Sequence, residues 1–146
     1  MKIKQAARQE LEIECRMLDQ PWFDAVCERL RDLPHHPFSR LLIAEEDGQP
    51  RALLGLRFHW AGDGRLVRAT ISVLGVDPKH NRRGIGSRLI RFAEGIARIH
   101  GCRQVDVAPD LEGWSDGRCW SGLGYDSPGE GLFKVLESPA RRSYVG

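Results

Sequence analysis

The chain has 146 residues, 41% of them hydrophobic and 29% charged, and a formal net charge of +2. That length suits one domain able to bury a core without metal or disulfide staples. The small net charge, from basic residues spread along the chain, argues against general nucleic-acid affinity, and no apolar run approaches a membrane span.

Within residues 1–17, Leu11, Ile13, Cys15 and Met17 alternate with Glu12, Glu14 and Arg16, which predicts a first strand. Asp19 suits a helix N-cap and Pro21 a first helical turn. Trp22, Phe23, Val26, Leu30 and Leu33 then recur at helical spacing until Pro34-His35-His36-Pro37 ends the pattern. Leu41–Ala44 and Ala52–Trp60, joined at Asp47-Gly48, predict a hairpin, and a turn at Ala61–Gly64 leads into a long strand from Leu66 to Val76. In the next helix Ile85, Leu89, Phe92, Ala93, Ile96 and Ala97 form one apolar face. Arg88, Arg91 and Arg98 lie away from it, and Gly101 is its C-terminal cap. Gln104–Ala108 predicts a fifth strand, and a short helix falls within 112–122. Tyr125–Ser127 and Leu132–Leu136 predict a closing hairpin around Pro128-Gly129. Residues 138–146 are polar and basic without a core pattern, so a loosely held tail follows a single domain over 1–137.

The most informative stretch runs from Val73 to Ile90. An apolar run (Ile71, Val73, Leu74, Val76) stops at Pro78, a basic glycine-bearing turn follows, and a helical pattern begins at once. The first amides of a helix lack internal partners and carry partial positive charge, so this order builds an anion site from backbone. Gly84 and Gly86 let a phosphate approach closely, and Arg82 and Arg83 add charge there. A pyrophosphate is the natural ligand. A dinucleotide fingerprint would need glycine where Leu89 stands, and the Gly-Lys-Ser/Thr of a nucleoside-triphosphate loop is absent.

This segment resembles motif A of the GNAT acetyltransferase superfamily, Val-x-Pro-x-x-Gln/Arg-x-x-Gly-x-Gly/Ala. Val76, Pro78, Gly84 and Gly86 match, while Asn81 replaces the usual Gln or Arg. The resemblance covers roughly residues 40 to 136 and implies a GNAT-like α/β (α+β) fold, a mixed central sheet of about six or seven strands with helices on both faces. It further implies acetyl-CoA as the co-substrate, bound by Leu74, Gly75, Val76, Asn81, Arg82, Arg83, Gly84, Ile85, Gly86 and Ser87. The expected reaction is direct acetyl transfer to a primary amine of a small molecule or a peptide, with no metal. Sheet-edge pairing, common among relatives, admits a homodimer.

Acetyl transfer to an amine needs a fixed thioester, a donor for its carbonyl oxygen, a neutral amine and a departing thiolate. Backbone amides around Leu74, Gly75 and Val76 serve the first two in the family. Many relatives protonate the sulfur with the Tyr of Tyr-x-x-x-Gly-Phe; here the string is Trp120-Ser-Gly-Leu-Gly124-Tyr125, and Trp120 is not an acid. The Asn that relatives place seven residues earlier is Gly113 here. A thiol of pKa ~8.5 still leaves tolerably, and a general acid adds roughly 10²–10⁴-fold where present. Water, Ser115 or Ser121 are stand-ins.

Asp106, on the fifth strand where some relatives carry Glu, is the candidate base; an exposed strand carboxylate is the plainer account. Asp110, Glu112 and Asp116 either favour a cationic acceptor by their field or form a solvated loop. His35, His36, His59, His80 and His100 show no metal-binding spacing, and His59 near the hairpin end either faces the cleft or, the plainer account, is a surface imidazole. Trp60, Trp114 and Trp120 line an acceptor pocket or pack in the core. Cys15, Cys27, Cys102 and Cys119 lack a paired motif and read as reduced thiols of a cytoplasmic protein; Cys119 has no partner base for a nucleophilic role. The eroded acid and Asn positions keep open a second function, a coenzyme-A-binding sensor or partner module with little transfer activity.

Overall fold

The computed structural model describes residues 1–7, 20–32, 39–79, 84–111, 118–126 and 131–136. In chain order these form β1 (Lys2–Ala6), α1 (Pro21–Asp32), β2 (Ser39–Glu46), β3 (Gln49–Trp60), β4 (Leu66–Val76), α2 (Ile85–Ile99) and β5 (Gln104–Val107). A 3-10 turn (Pro109–Leu111), α3 (Arg118–Gly122) and β6 (Phe133–Val135) complete them. The strands make one six-stranded sheet in sequence order. Every neighbouring pair is antiparallel except β4 and β5, which run parallel because α2 carries the chain back between them.

Turn chemistry explains the β2–β3 hairpin. Asp47 and Gly48 have φ of 55° and 74°, the pair of positive values that a two-residue turn of the favoured hand requires. At its other end α2 closes with a left-handed Gly101, φ 86°. Cys102 N–H donates to the Ala97 carbonyl at 2.9 Å and Gly101 N–H to the Arg98 carbonyl at 3.0 Å, satisfying the last turn from outside the helix.

Two cores flank the sheet. Leu42, Leu54, Leu56 and Ile71 pack with Ile85, Leu89, Ile90, Ala93 and Ala97 of α2. Ile43, Leu53 and Val73 pack with Phe23, Val26, Cys27 and Leu30 of α1. Consecutive residues such as Leu53 and Leu54 serve opposite cores, as the period of two in a strand dictates. Each fully buried Leu or Ile contributes about 1.5–3 kcal/mol.

Several expectations change. Phe92, assigned to the buried face of α2, is 43% exposed, while Ile90 and Glu94 are buried. Glu94 tolerates burial because the Tyr125 hydroxyl donates to its Oε2 at 2.8 Å and Lys134 Nζ to its Oε1 at 3.0 Å. Cys27 is disulfide-bonded rather than a free thiol, whereas Cys102 is free and buried. The strand expected around Leu11–Met17, the cap at Asp19 and the tail over 138–146 lie outside the described residues.

Candidate active site

A defect in β4 makes the opening. Gly55 pairs with Val73 and Leu56 with Ile71, so Ser72 is an extra residue in β4. Its hydroxyl donates to the Gly55 carbonyl at 3.2 Å. The bulge reverses the facing of the strand: Ala69 and Ile71 join the α2 core, and Val73 then joins the α1 core.

β5 follows β4 only from Arg68↔Gln104 to Ile71↔Val107. Ala108 N–H makes the last bond across, to the Ile71 carbonyl at 3.0 Å, and the chain turns off into Pro109–Leu111. On the other side, Asp77 N–H donates to the Arg51 carbonyl at 2.7 Å. Antiparallel bonding alternates, so Val73 and Gly75 also face β3, and the N–H and C=O of Leu74 and Val76 turn toward the side that β5 has left. Among the described residues no strand pairs with β4 there beyond Ile71. Two amides about 6–7 Å apart thus face a gap, a geometry suited to an extended, amide-bearing chain.

The N-terminus of α2 stands next to that edge. Gly84 holds φ 72° and supplies no side-chain cap. The helical ladder starts with Arg88 N–H to the Gly84 carbonyl at 3.0 Å, so the Ile85 and Gly86 amides precede it. The approach from β4 is pinned by Asp77, 4% exposed, whose Oδ1 accepts from Lys79 N–H at 3.1 Å while Arg51 donates to Oδ2 at 3.3 Å. Asn81, Arg82 and Arg83 lie outside the described residues. Of the expected coenzyme residues, Leu74, Gly75 and Val76 share the open strand, and Gly84, Ile85, Gly86 and Ser87 share the helix start.

The α1 side of the sheet is divided in two. Its upper half, at Ile43, Leu53, Val73 and Gly75, lies under α1. Its lower half is polar. One row runs from Arg57 to Thr70 to Asp106, and the next from His59 to Arg68 to Gln104. The residues between them (Leu56, Phe58, Ala69, Ile71, Val105, Val107) belong to the α2 core, which sends these six to the opposite face. His59 Nε2 and Thr70 Oγ1 are 2.7 Å apart. Gln104 Nε2 donates to Asp106 Oδ1 at 2.5 Å, and Arg68 Nε lies 3.6 Å from Asp106 Oδ2. Asp106 therefore sits one residue before the last rung of the β4–β5 ladder, at the edge of the opening.

Other expected residues fall elsewhere. Trp120 is fully buried in the α2 core, its indole N–H donating to the Leu111 carbonyl at 2.8 Å, so it does not line a pocket. Tyr125 packs edge-on against it, and burial beside the Glu94 carboxylate pushes its phenol far above the ordinary range. Asp110 is paired with Arg29 of α1, so its charge is already engaged at the mouth of the opening. Trp60 is exposed at the end of β3. His59 is no isolated surface imidazole, since it bonds Thr70, and His100 stacks edge-on with Phe58. No group of three or more metal-ligating side chains occurs among the described residues. His35, His36, His80, Glu112, Gly113, Trp114, Ser115 and Asp116 lie outside the described residues. The Arg57–Thr70–Asp106 row was not foreseen, although alternating polar residues at 57 and 59, 68 and 70, and 104 and 106 are its signal.

Comparison with known proteins gives the same architecture. A transcriptional regulator from Bacillus halodurans C-125 superposes with a TM-score of 0.65 at 22% identity, over 90% of this chain and 96% of that one. An aminoglycoside 6'-acetyltransferase type Ii gives 0.68 at 16% identity, over 95% and 100% of the two chains. An aminoglycoside N-acetyltransferase in complex with CoA gives 0.62 at 19%, over 86% and 88%. At these identities the likeness is one of fold. Among curated protein sequences none matches this chain. The sequence profile of the acetyltransferase (GNAT) family, however, matches residues 5–113, which include the open β4 edge and the start of α2. The chain belongs to the GNAT acetyltransferase family.

Proposed function

We propose that this protein transfers an acetyl group from acetyl-CoA directly to a primary amine of a small molecule or peptide. The observation that carries the reading is the β4 edge opened at Leu74 and Val76 beside a helix start headed by left-handed Gly84. A diphosphate is the ligand read for the segment from Asn81 to Ser87, because Arg82 and Arg83 directly precede a helix start whose first amides lack internal partners. An extended amide-bearing arm fits the backbone of Leu74 and Val76, as a further strand would. Acetyl-CoA supplies an acyl group activated as a thioester.

The protein's part is to position and to move a proton. An amide at the opened edge steadies the carbonyl oxygen as negative charge develops. The amine nitrogen bonds to the acyl carbon as the carbon–sulfur bond breaks, and the amine's proton passes to Asp106, the carboxylate at the rim. Trp120 and Tyr125 are committed to the core and do not protonate the departing thiolate, which leaves that role to water, Ser115 or Ser121. A cytoplasmic location is part of the proposal on the free thiol of Cys102, while the disulfide at Cys27 counts against it.

Calorimetry with coenzyme A tests the turn: wild type should bind, and Arg83→Glu combined with Gly84→Asp should abolish binding. Free-thiol release from acetyl-CoA over a panel of amines tests transfer. Tight coenzyme binding with silence across the panel would favour the sensor module instead.

A further inference from the structure

The polar half-face beside the opening is unbalanced in charge. Arg57 and Arg68 stand there with Asp106 as the acid of the two rows, and His59, Thr70 and Gln104 complete them. Arg68 lies against Asp106 and remains 51% exposed at its side chain. Arg57 is exposed and has no ion-pair partner among the described residues. Asp110, which follows β5 in the chain, is paired with Arg29. Among the described residues this face therefore offers a surplus of guanidinium next to one carboxylate.

A polycationic amine would bring its second positive charge against Arg57 and Arg68, a like-charge contact that a selective site uses to reject. An amine that also carries a carboxylate meets the opposite situation. Arg57 and Asp106 occupy one row with Thr70 between them, so their backbones stand about 10 Å apart across three strands. That span matches a small molecule whose two charges are a few ångströms apart, with an extended side chain at each end. The planar fork of an arginine is suited to a carboxylate, which it binds through two parallel hydrogen bonds.

We infer that the acceptor is an amino-acid-type zwitterion, its carboxylate held by Arg57 and its amine directed to Asp106. The inference rests on the transferase reading above. It separates this protein from the aminoglycoside-modifying enzymes whose fold it shares.

The test uses the full chain with saturating acetyl-CoA and follows thiol release. The acceptors are the common α-amino acids, their carboxamides, spermidine and kanamycin. The best amino acid should exceed its own carboxamide by about 10–100-fold in kcat/KM, the factor expected for a lost charge-assisted contact. Spermidine and kanamycin should stay near background. Arg57→Gln should raise KM for the acid by a similar factor, leave kcat and the carboxamide nearly unchanged, and Arg57→Lys should restore part of the loss. Coenzyme A affinity and the melting temperature of the variants should match wild type. Equal use of acid and carboxamide, preference for either polycation, or an equal loss on both acceptors in Arg57→Gln overturns the inference while sparing the transferase. Silence on every acceptor with coenzyme A still bound overturns the transferase reading and this inference with it.

Discussion

Gly75 of β4 and Val26 of α1 meet so closely that a Cβ on Gly75 would overlap Val26 Cγ2, with Trp22 Cε3 at 3.6 Å behind it. The missing side chain is what lets α1 lie on the strand whose other edge is open. Gly75→Ala should destabilise the protein by about 1–3 kcal/mol through overpacking. Adding Val26→Ala should recover part of that loss, so the two changes couple favourably in a denaturation cycle. Additive losses would show that the contact does not set the position of α1.

Gly84 holds φ 72° where α2 begins. Gly84→Ala should cost about 1–2 kcal/mol for a left-handed residue with a Cβ. Where that strain is relieved by reshaping the turn, coenzyme A affinity should fall by about 5–30-fold. Gly84→Asn, which tolerates this conformation better, should lose less on both counts. Calorimetry and thermal melting on the same samples give the two numbers.

If Asp106 receives the amine's proton, Asp106→Asn should lower kcat/KM by about 10²–10⁴-fold and change the shape of the pH–rate profile, with coenzyme A binding intact. An unaltered profile rejects the assignment. The carboxylate already has Gln104 and Arg68 beside it, so the isosteric amide keeps the packing of the row.

Burial and then the Glu94 carboxylate raise the Tyr125 phenol above its usual value of 10.0. The folded protein thus keeps this proton at pH values where the unfolded chain releases it. Stability from this group is complete below pH 10 and declines above it, by at most about 1.4 kcal/mol per pH unit. Tyr125→Phe should flatten that alkaline decline. At neutral pH it should cost about 1–3 kcal/mol, because Glu94 Oε2 loses its donor inside the core. Urea melts at pH 7, 10 and 11 distinguish the two effects.

Local pattern alone determined the β2–β3 hairpin, the full span of β4 from Leu66 to Val76, the start of α2 after Gly84 and the cap at Gly101. Each rests on spacing or turn chemistry within a few residues, where period and positive φ leave few choices. The left-handed glycine that heads α2 was legible for the same reason. Tertiary structure alone decided that Ser72 is extra in β4, that β5 stops at Val107, and that Arg57, Thr70 and Asp106 share a row. It also decided that Glu94 is buried between Tyr125 and Lys134. Those outcomes depend on the register of strands far apart in the chain and on what packs above them. No spacing within one segment carries that information, because a register is a choice between segments.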